Sequence, residues 1–228
     1  MQPVRSRYRA LSRNKRQRGT TIAELLSVVA VLGLIMSAVA FVIGPLLRSQ
    51  SHTQAKVDTV QAAAMALYRI ERDLRNSSVD QIFVCTTTGT PTCSTPSLTT
   101  ATAQAVVISS AFANGGGPFQ LQANGLPKWQ GATVYWVDAV GNLNVAFDAN
   151  PGTFIAGNAL TAAQAQAAVT DVTTNGGMQL ARFVETLALG APASGHEVTL
   201  QLQARSTVNS ANNETTYTTD VETRNRSS

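Results

Sequence analysis

From Leu25 to Leu47 the chain runs for 23 residues without a charged side chain, and most of them are apolar. As a helix rising about 1.5 Å per residue, that run spans about 35 Å, enough to cross a bilayer core of roughly 30 Å. Seven basic residues precede it: Arg5, Arg7, Arg9, Arg13, Lys15, Arg16 and Arg18. Lys and Arg beside an apolar span are retained on the cytoplasmic side, so everything after Arg48 is expected outside the cytoplasm. The expected location is a membrane, crossed once, with the N-terminus in the cytoplasm and the following domain outside it.

Composition fits one anchor and one modest domain: 228 residues, 44% hydrophobic and only 13% charged. The net charge of +4 is unevenly placed, because the ten basic residues beyond Gly19 face thirteen acidic ones, a net of −3. A basic tail on a mildly acidic body speaks for membrane topology rather than nucleic-acid binding. Cys85 and Cys93 are the two cysteines, and an even count in an exported chain favours a disulfide. Two free thiols in a reducing compartment are the alternative; without neighbouring histidines the pair makes a poor zinc site.

Beyond the span the helical period continues, with Val60, Ala63, Leu67, Ile70 and Leu74 at three- and four-residue intervals. Glu71 with Arg75, and Arg69 with Asp73, form i,i+4 pairs, and Asn76-Ser77-Ser78 is the expected stop. One helix from near Thr20 to near Asn76 follows. After it the period turns to alternation, and Gly, Pro, Asn and Thr punctuate β-rich runs at 105–112, 132–137, 142–147, 178–189, 197–206 and 215–223. "VDAVGN" reads as a hairpin turn, residues 160–168 as a short surface helix, and the charge-free, Thr-rich 86–104 as variable loop and edge strand, or disorder. The expected fold class is α+β, a long N-terminal helix packed by its amphipathic half on an antiparallel sheet. The boundaries are 1–19 basic segment, 20–47 transmembrane helix, 48–78 amphipathic continuation and 79–228 β-rich head.

One acid breaks the pattern. Glu24 stands at the mouth of the apolar run, and a carboxylate within hydrocarbon costs roughly 2.5–3.5 kcal/mol on insertion scales, so it needs a partner or a function. No cation follows it until Arg48. An α-amino group made by cutting the chain just before Thr20 would be the nearest fixed positive charge. The basic leader ending at Gly19, the apolar run from Thr20, Glu24 at its fifth place, Gly33 within the span and Gly44-Pro45 near its end resemble the class III signal of type IV prepilins and type II secretion pseudopilins. "ALYRIERDLRNSS" and "YTTDVETRN" are similar to W-type minor pilins and J-type minor pseudopilins.

The resemblance implies a pilin fold and a subunit that helps to initiate or cap a filament. Gly19 would be the cleavage glycine for a prepilin peptidase, Thr20 the N-methylated terminus, and Glu24 the assembly carboxylate meeting the terminus of a neighbouring subunit. Thr20 stands where Phe or Met is more usual. The implied partners are the prepilin peptidase, other major and minor pilins or pseudopilins, the inner-membrane assembly platform, and membrane lipid before assembly. No cofactor or metal is implied, and no enzymatic activity.

Other readings remain open at this stage. Ala38-Val39-Ala40 follows a 12-residue apolar run and could serve as a secretory cleavage site, although Glu24 and the continuation to Leu47 oppose it. Glu24 alone could be an interfacial acid favoured by the helix dipole. Gly44-Pro45 is expected to break the helix, as a static kink or as a section that melts during packing. His52 and His196 lack a surrounding cluster, and no G-x-S-x-G, H-E-x-x-H or phosphate-loop pattern occurs. Asp138, Asn142, Asn144 and Asp148 are the nearest approach to a calcium set, without the EF-hand spacing. Lys128-Trp129 with Tyr135 and Trp136 could form an aromatic–basic DNA surface, but the acidic body argues for core aromatics. Alternatives to a filament initiator are a tip subunit that adheres or contacts DNA, and a secreted or membrane-anchored protein of unknown activity.

Overall fold

The computed structural model describes residues 21–86, 90–96, 101–103, 105–112, 116–190, 197–208 and 211–223. Gly19, Thr20 and His196 lie outside the described residues, as does the side chain of His52. The chain divides into two compact units, Met1–Ser51 and His52–Ser228. Helix α1, Ile22–Arg75, contributes to both.

In the first unit, Ile22–Leu47 forms 26 residues of helix whose most apolar stretch has a mean hydropathy of 2.8, with none of that stretch buried. It is long and apolar enough to cross a membrane. The helix runs on through Gly44 and Pro45, where the proline has no N–H to offer the preceding turn. A Cβ added at Gly33 or Gly44 would meet nothing within 4 Å.

The second unit carries the sheets. Strands β1 (Ile82–Thr86), β2 (Thr92–Ser94), β4 (Ala105–Ser110), β5 (Gly131–Val137), β6 (Leu143–Asp148) and β7 (Met178–Ala181) form one antiparallel sheet in the order β2-β1-β4-β5-β6-β7. Strands β3 (Ala101–Ala103), β8 (Val184–Gly190), β9 (Glu197–Val208) and β10 (Ala211–Glu222) form a second, in the order β10-β9-β8-β3. The α+β class is as the sequence indicated: an apolar N-terminal helix precedes an antiparallel head.

Within this unit α1 buries Ala63, Ala66, Ile70 and Leu74 against both sheets, with Leu67 half-buried beside them. Ala63 and Ala66 belong to the same buried cluster as Val106, Ile108 and Leu200. Val60, expected in the buried stripe, is on its exposed rim. The helix stops at Arg75, where the Asn76 side chain donates to the Arg72 carbonyl at 2.7 Å.

A second core lies on the other face of the six-stranded sheet, where Phe83, Val107, Val134 and Trp136 meet helix α2, Ala162–Asn175. This corrects the short surface helix expected at 160–168. The helix has 14 residues, starts at a capping box between Thr161 and Gln164, and buries Ala165, Ala168, Val169 and Val172. Because α1 and α2 cover opposite faces, every residue of β4 is buried, which removes the alternation that marks a one-sided strand. For the same reason Trp129, Tyr135 and Trp136 are core residues and offer no stacking platform.

Three further departures have local causes. The run 178–189 is two strands: the chain leaves the first sheet after β7, passes Phe183 at φ 60°, and enters the second sheet as β8. Strand β1 was not anticipated, β2 and β3 are edge strands within the run read as variable loop and edge strand or disorder, and β1 and β2 are joined by the Cys85–Cys93 disulfide at directly opposed positions, Cα to Cα 4.1 Å. Asp73 does not pair with Arg69: its Oδ1 accepts from Arg72 and its Oδ2 from the Tyr135 hydroxyl. The Glu71–Arg75 pair does form.

Candidate functional site

The site the sequence singles out is the head of α1. Its helix begins at Ile22, which makes Thr21 the cap residue and Glu24 the third residue of the first turn. The main-chain N–H of Glu24 donates to Thr21 Oγ1 at 3.3 Å, and the main-chain N–H of Thr21 donates to Glu24 Oε2 at 3.1 Å. This is a capping box: two N–H groups that would have no partner in hydrocarbon are satisfied by two adjacent side chains. The carboxylate also faces the positive end of the helix dipole. Its other oxygen, Oε1, accepts nothing from the described residues. Ser27 and Ser37 return their hydroxyls to the helix, donating to the carbonyls of Glu24 and Leu34 at 2.8 Å each, so neither adds a free polar group to the span.

Glu24 therefore has a local partner in Thr21. The signal was present as T-x-x-E before an apolar run. What the box leaves is a half-used carboxylate at the entrance of an apolar helix, able to accept from a cation that lacks other solvation.

Compared with protein-family models, curated proteins and solved structures, the chain matches none.

The other candidate residues do not converge. Asp138 sits in the β5–β6 turn, where Gly141 adopts φ 84° and the carboxylate accepts four N–H donors. Oδ1 takes the main-chain groups of Val140 and Asn142 at 2.9 and 2.8 Å, and Oδ2 takes the side chains of Asn142 and Asn144 at 2.9 and 3.3 Å. Burial opposes its charge, but these donors outweigh that and hold the carboxyl below the usual carboxylate range. With its acceptor positions filled, Asp138 has none left for a cation. Asp148 lies at the opposite end of β6, so the four residues considered for calcium do not share a site. Among the described residues no three of His, Cys, Asp and Glu come together as a metal set.

Asp148 differs from Asp138 in its surroundings. Oδ1 accepts from the Asn150 N–H at 2.9 Å, whereas Oδ2 is buried without a partner. Burial pushes its pKa up against that one hydrogen bond, and Asp171 adds to the rise.

Two clefts in the head are open to solvent. One of about 450 Å³ lies between Asp58, Thr59 and Ala62 of α1 and the segment Gln179–Phe183. Another of about 400 Å³ is bordered by Trp136, Asp138, Thr170 and Thr173. In the latter the threonine hydroxyls donate to carbonyls of α2 and Asp138 is saturated, so no nucleophile meets a base there. Gln81 joins distant parts of the head: its Oε1 accepts from Ser109 Oγ at 3.1 Å and from the Leu160 N–H at 2.6 Å.

Proposed function

We propose that this chain is a minor pilin or pseudopilin, a structural subunit that helps to initiate or cap a type IV pilus-like filament after a prepilin peptidase cuts between Gly19 and Thr20. The observation that carries the reading is the half-used carboxylate of Glu24, five places beyond Gly19 at the head of a helix apolar enough for a membrane. Before assembly the helix holds the subunit in the inner membrane, leader in the cytoplasm and head outside. In the filament, Glu24 meets the new α-amino group of a neighbouring chain, and the apolar span exchanges lipid for sister helices.

The second part of α1 supports this division of labour. It is built into the head by Ala63, Ala66, Ile70 and Leu74, while none of the most apolar stretch of Ile22–Leu47 is buried. The experiment is the mature N-terminal sequence and mass. A start at Thr20, with or without a methyl group, is expected; a start at Phe41 would make the protein a secreted one and overturn the reading.

A further inference from the structure

We propose that the cleft between α1 and the edge of the six-stranded sheet is a peptide groove, in which an extended segment of another protein adds a strand to β7. Strand β7 ends the sheet: it pairs with β6 on one side and has no strand on the other. Successive residues of a strand aim their N–H and C=O groups to opposite sides, so half of Met178–Ala181 offers main-chain donors and acceptors at an open edge. Beside that edge runs the cleft of about 450 Å³, with Asp58, Thr59 and Ala62 of α1 on its far wall. Ala62 and Leu180 line it with apolar surface that is half-buried against the core. Asp58 and Arg182 stand exposed on opposite walls, and neither side chain has a hydrogen-bond or ion-pair partner among the described residues. In strand addition the main chain supplies affinity, while pockets and charges supply selectivity. The occupant is therefore an extended strand with an apolar side chain to cover Ala62 and Leu180, a basic group for Asp58 and an acidic one for Arg182.

Phe183, where the cleft meets the start of β8, points the same way. Its φ of 60° is one that an aromatic residue adopts only under constraint. The constraint is visible: the Phe183 carbonyl accepts from the Arg205 N–H at 2.7 Å, and the Val184 N–H donates to the Gly141 carbonyl at 2.8 Å. Yet the ring is 47% exposed, so packing within the head accounts for only part of it. Met178, 54% exposed, puts a second apolar side chain at the other end of β7. Backbone strain that holds an aromatic ring in solvent beside an open edge is accounted for by a contact made outside the chain.

The test titrates a fluorescent, end-blocked peptide of alternating valine and threonine, with a lysine near one end and a glutamate near the other, with the full chain in detergent, and reads anisotropy. Two further peptides are N-methylated on alternate residues, one on each of the two sets. Strand addition uses the N–H groups of one set only, so one methylated peptide should bind on the order of tenfold more weakly while the other matches the parent. Asp58→Lys should weaken the parent peptide on the order of tenfold, and exchanging the peptide's lysine for glutamate should recover binding to that variant. Phe183→Gly removes the ring and relieves the backbone, so it should weaken the peptide without lowering Tm. Absence of saturable binding, equal binding by both methylated peptides, or no response to Asp58→Lys would each overturn the proposal, as would a Phe183→Gly chain that binds as the wild type does. Self-association through β7 that the peptide does not displace would overturn it too, because the occupant would then be a second copy of the chain.

Discussion

The Tyr135 hydroxyl donates to Asp73 Oδ2 at 2.6 Å, joining the centre of the six-stranded sheet to the last turns of α1 across 62 residues of sequence. Arg72 holds the other oxygen of the same carboxylate at 2.8 Å. Tyr135 is fully buried and Asp73 largely so, which makes this the polar fastening within an otherwise apolar contact between helix and sheet.

Tyr135→Phe leaves the ring in place and removes one hydrogen bond to a charged acceptor, so the head should lose about 2 kcal/mol. For a domain of this size that is a fall of about 4–8 °C in Tm, measured on the full chain in detergent. Burial and then the Asp73 charge push the tyrosine pKa upward. A group raised in the native state contributes fully below its unfolded value, near pH 10, and loses that contribution as pH rises through the native one. The gap between wild type and Tyr135→Phe should therefore be constant at neutral pH and close above about pH 10. Equal melting of the two proteins at pH 7 would refute the fastening.

Asp148 and Asp138 should respond oppositely to neutralisation. The raised Asp148 carboxyl contributes stability below the unfolded value near pH 4 and is a liability once ionised, so Asp148→Asn should raise Tm at pH 7. The replacement keeps an acceptor for the Asn150 N–H, and the gain should vanish as pH falls below about 4. The lowered Asp138 carboxyl contributes above its unfolded value and loses that as pH falls through the native one, so Asp138→Asn should lower Tm at pH 7 and matter least in acid. Thermal melts of both variants at pH 3 and pH 7 decide the matter, and shifts of the same sign at pH 7 would contradict it.

The parts of this fold that were legible in the sequence are those with a strong local period. Helix α1 was bounded to within about two residues because an uncharged run, a 3.6-residue stripe and an Asn-Ser-Ser stop agree. The β5–β6 hairpin was legible from Asp138 and Gly141. Strand β1 was missed because Ile82, Phe83, Val84 and Cys85 are all buried, leaving no alternation between the faces. The depth of α2 was missed because Ala165 and Ala168 carry little hydrophobic signal and are buried only because the sheet beneath them is apolar. At the candidate site, Glu24 stood out as an isolated charge, whereas Thr21, an ordinary neighbour in composition, acquired its role only through hydrogen-bond geometry.

The Cys85–Cys93 bond clasps a three-residue strand that pairs with β1 alone at the edge of its sheet. With eight residues of separation, the chain-entropy model gives a loss of about 2–3 kcal/mol on opening it. Cys93→Ser, and the reduced wild type, should both melt about 4–12 °C lower than the oxidised protein. A reductant should then leave the variant's Tm unchanged. If reduction leaves the wild-type Tm unmoved, the bond does not contribute in this way.

Glu24→Gln separates the cap formed by the carboxylate from the assembly role proposed for it. Glutamine at the third position of the first turn still completes a capping box, so the Thr21 N–H keeps its acceptor and the helix start is preserved. What disappears is the negative charge that an ammonium from a neighbouring chain would meet. If the proposed function holds, Glu24→Gln should match the wild type in membrane insertion and mature N-terminus, yet yield few filaments. Glu24→Ala loses both the charge and the cap, and should show the same loss of filaments together with weaker protection of the first-turn amides in hydrogen exchange. If Glu24→Gln assembled as well as the wild type, the cap alone would suffice, and the pairing of Glu24 with a neighbouring terminus would have to be abandoned.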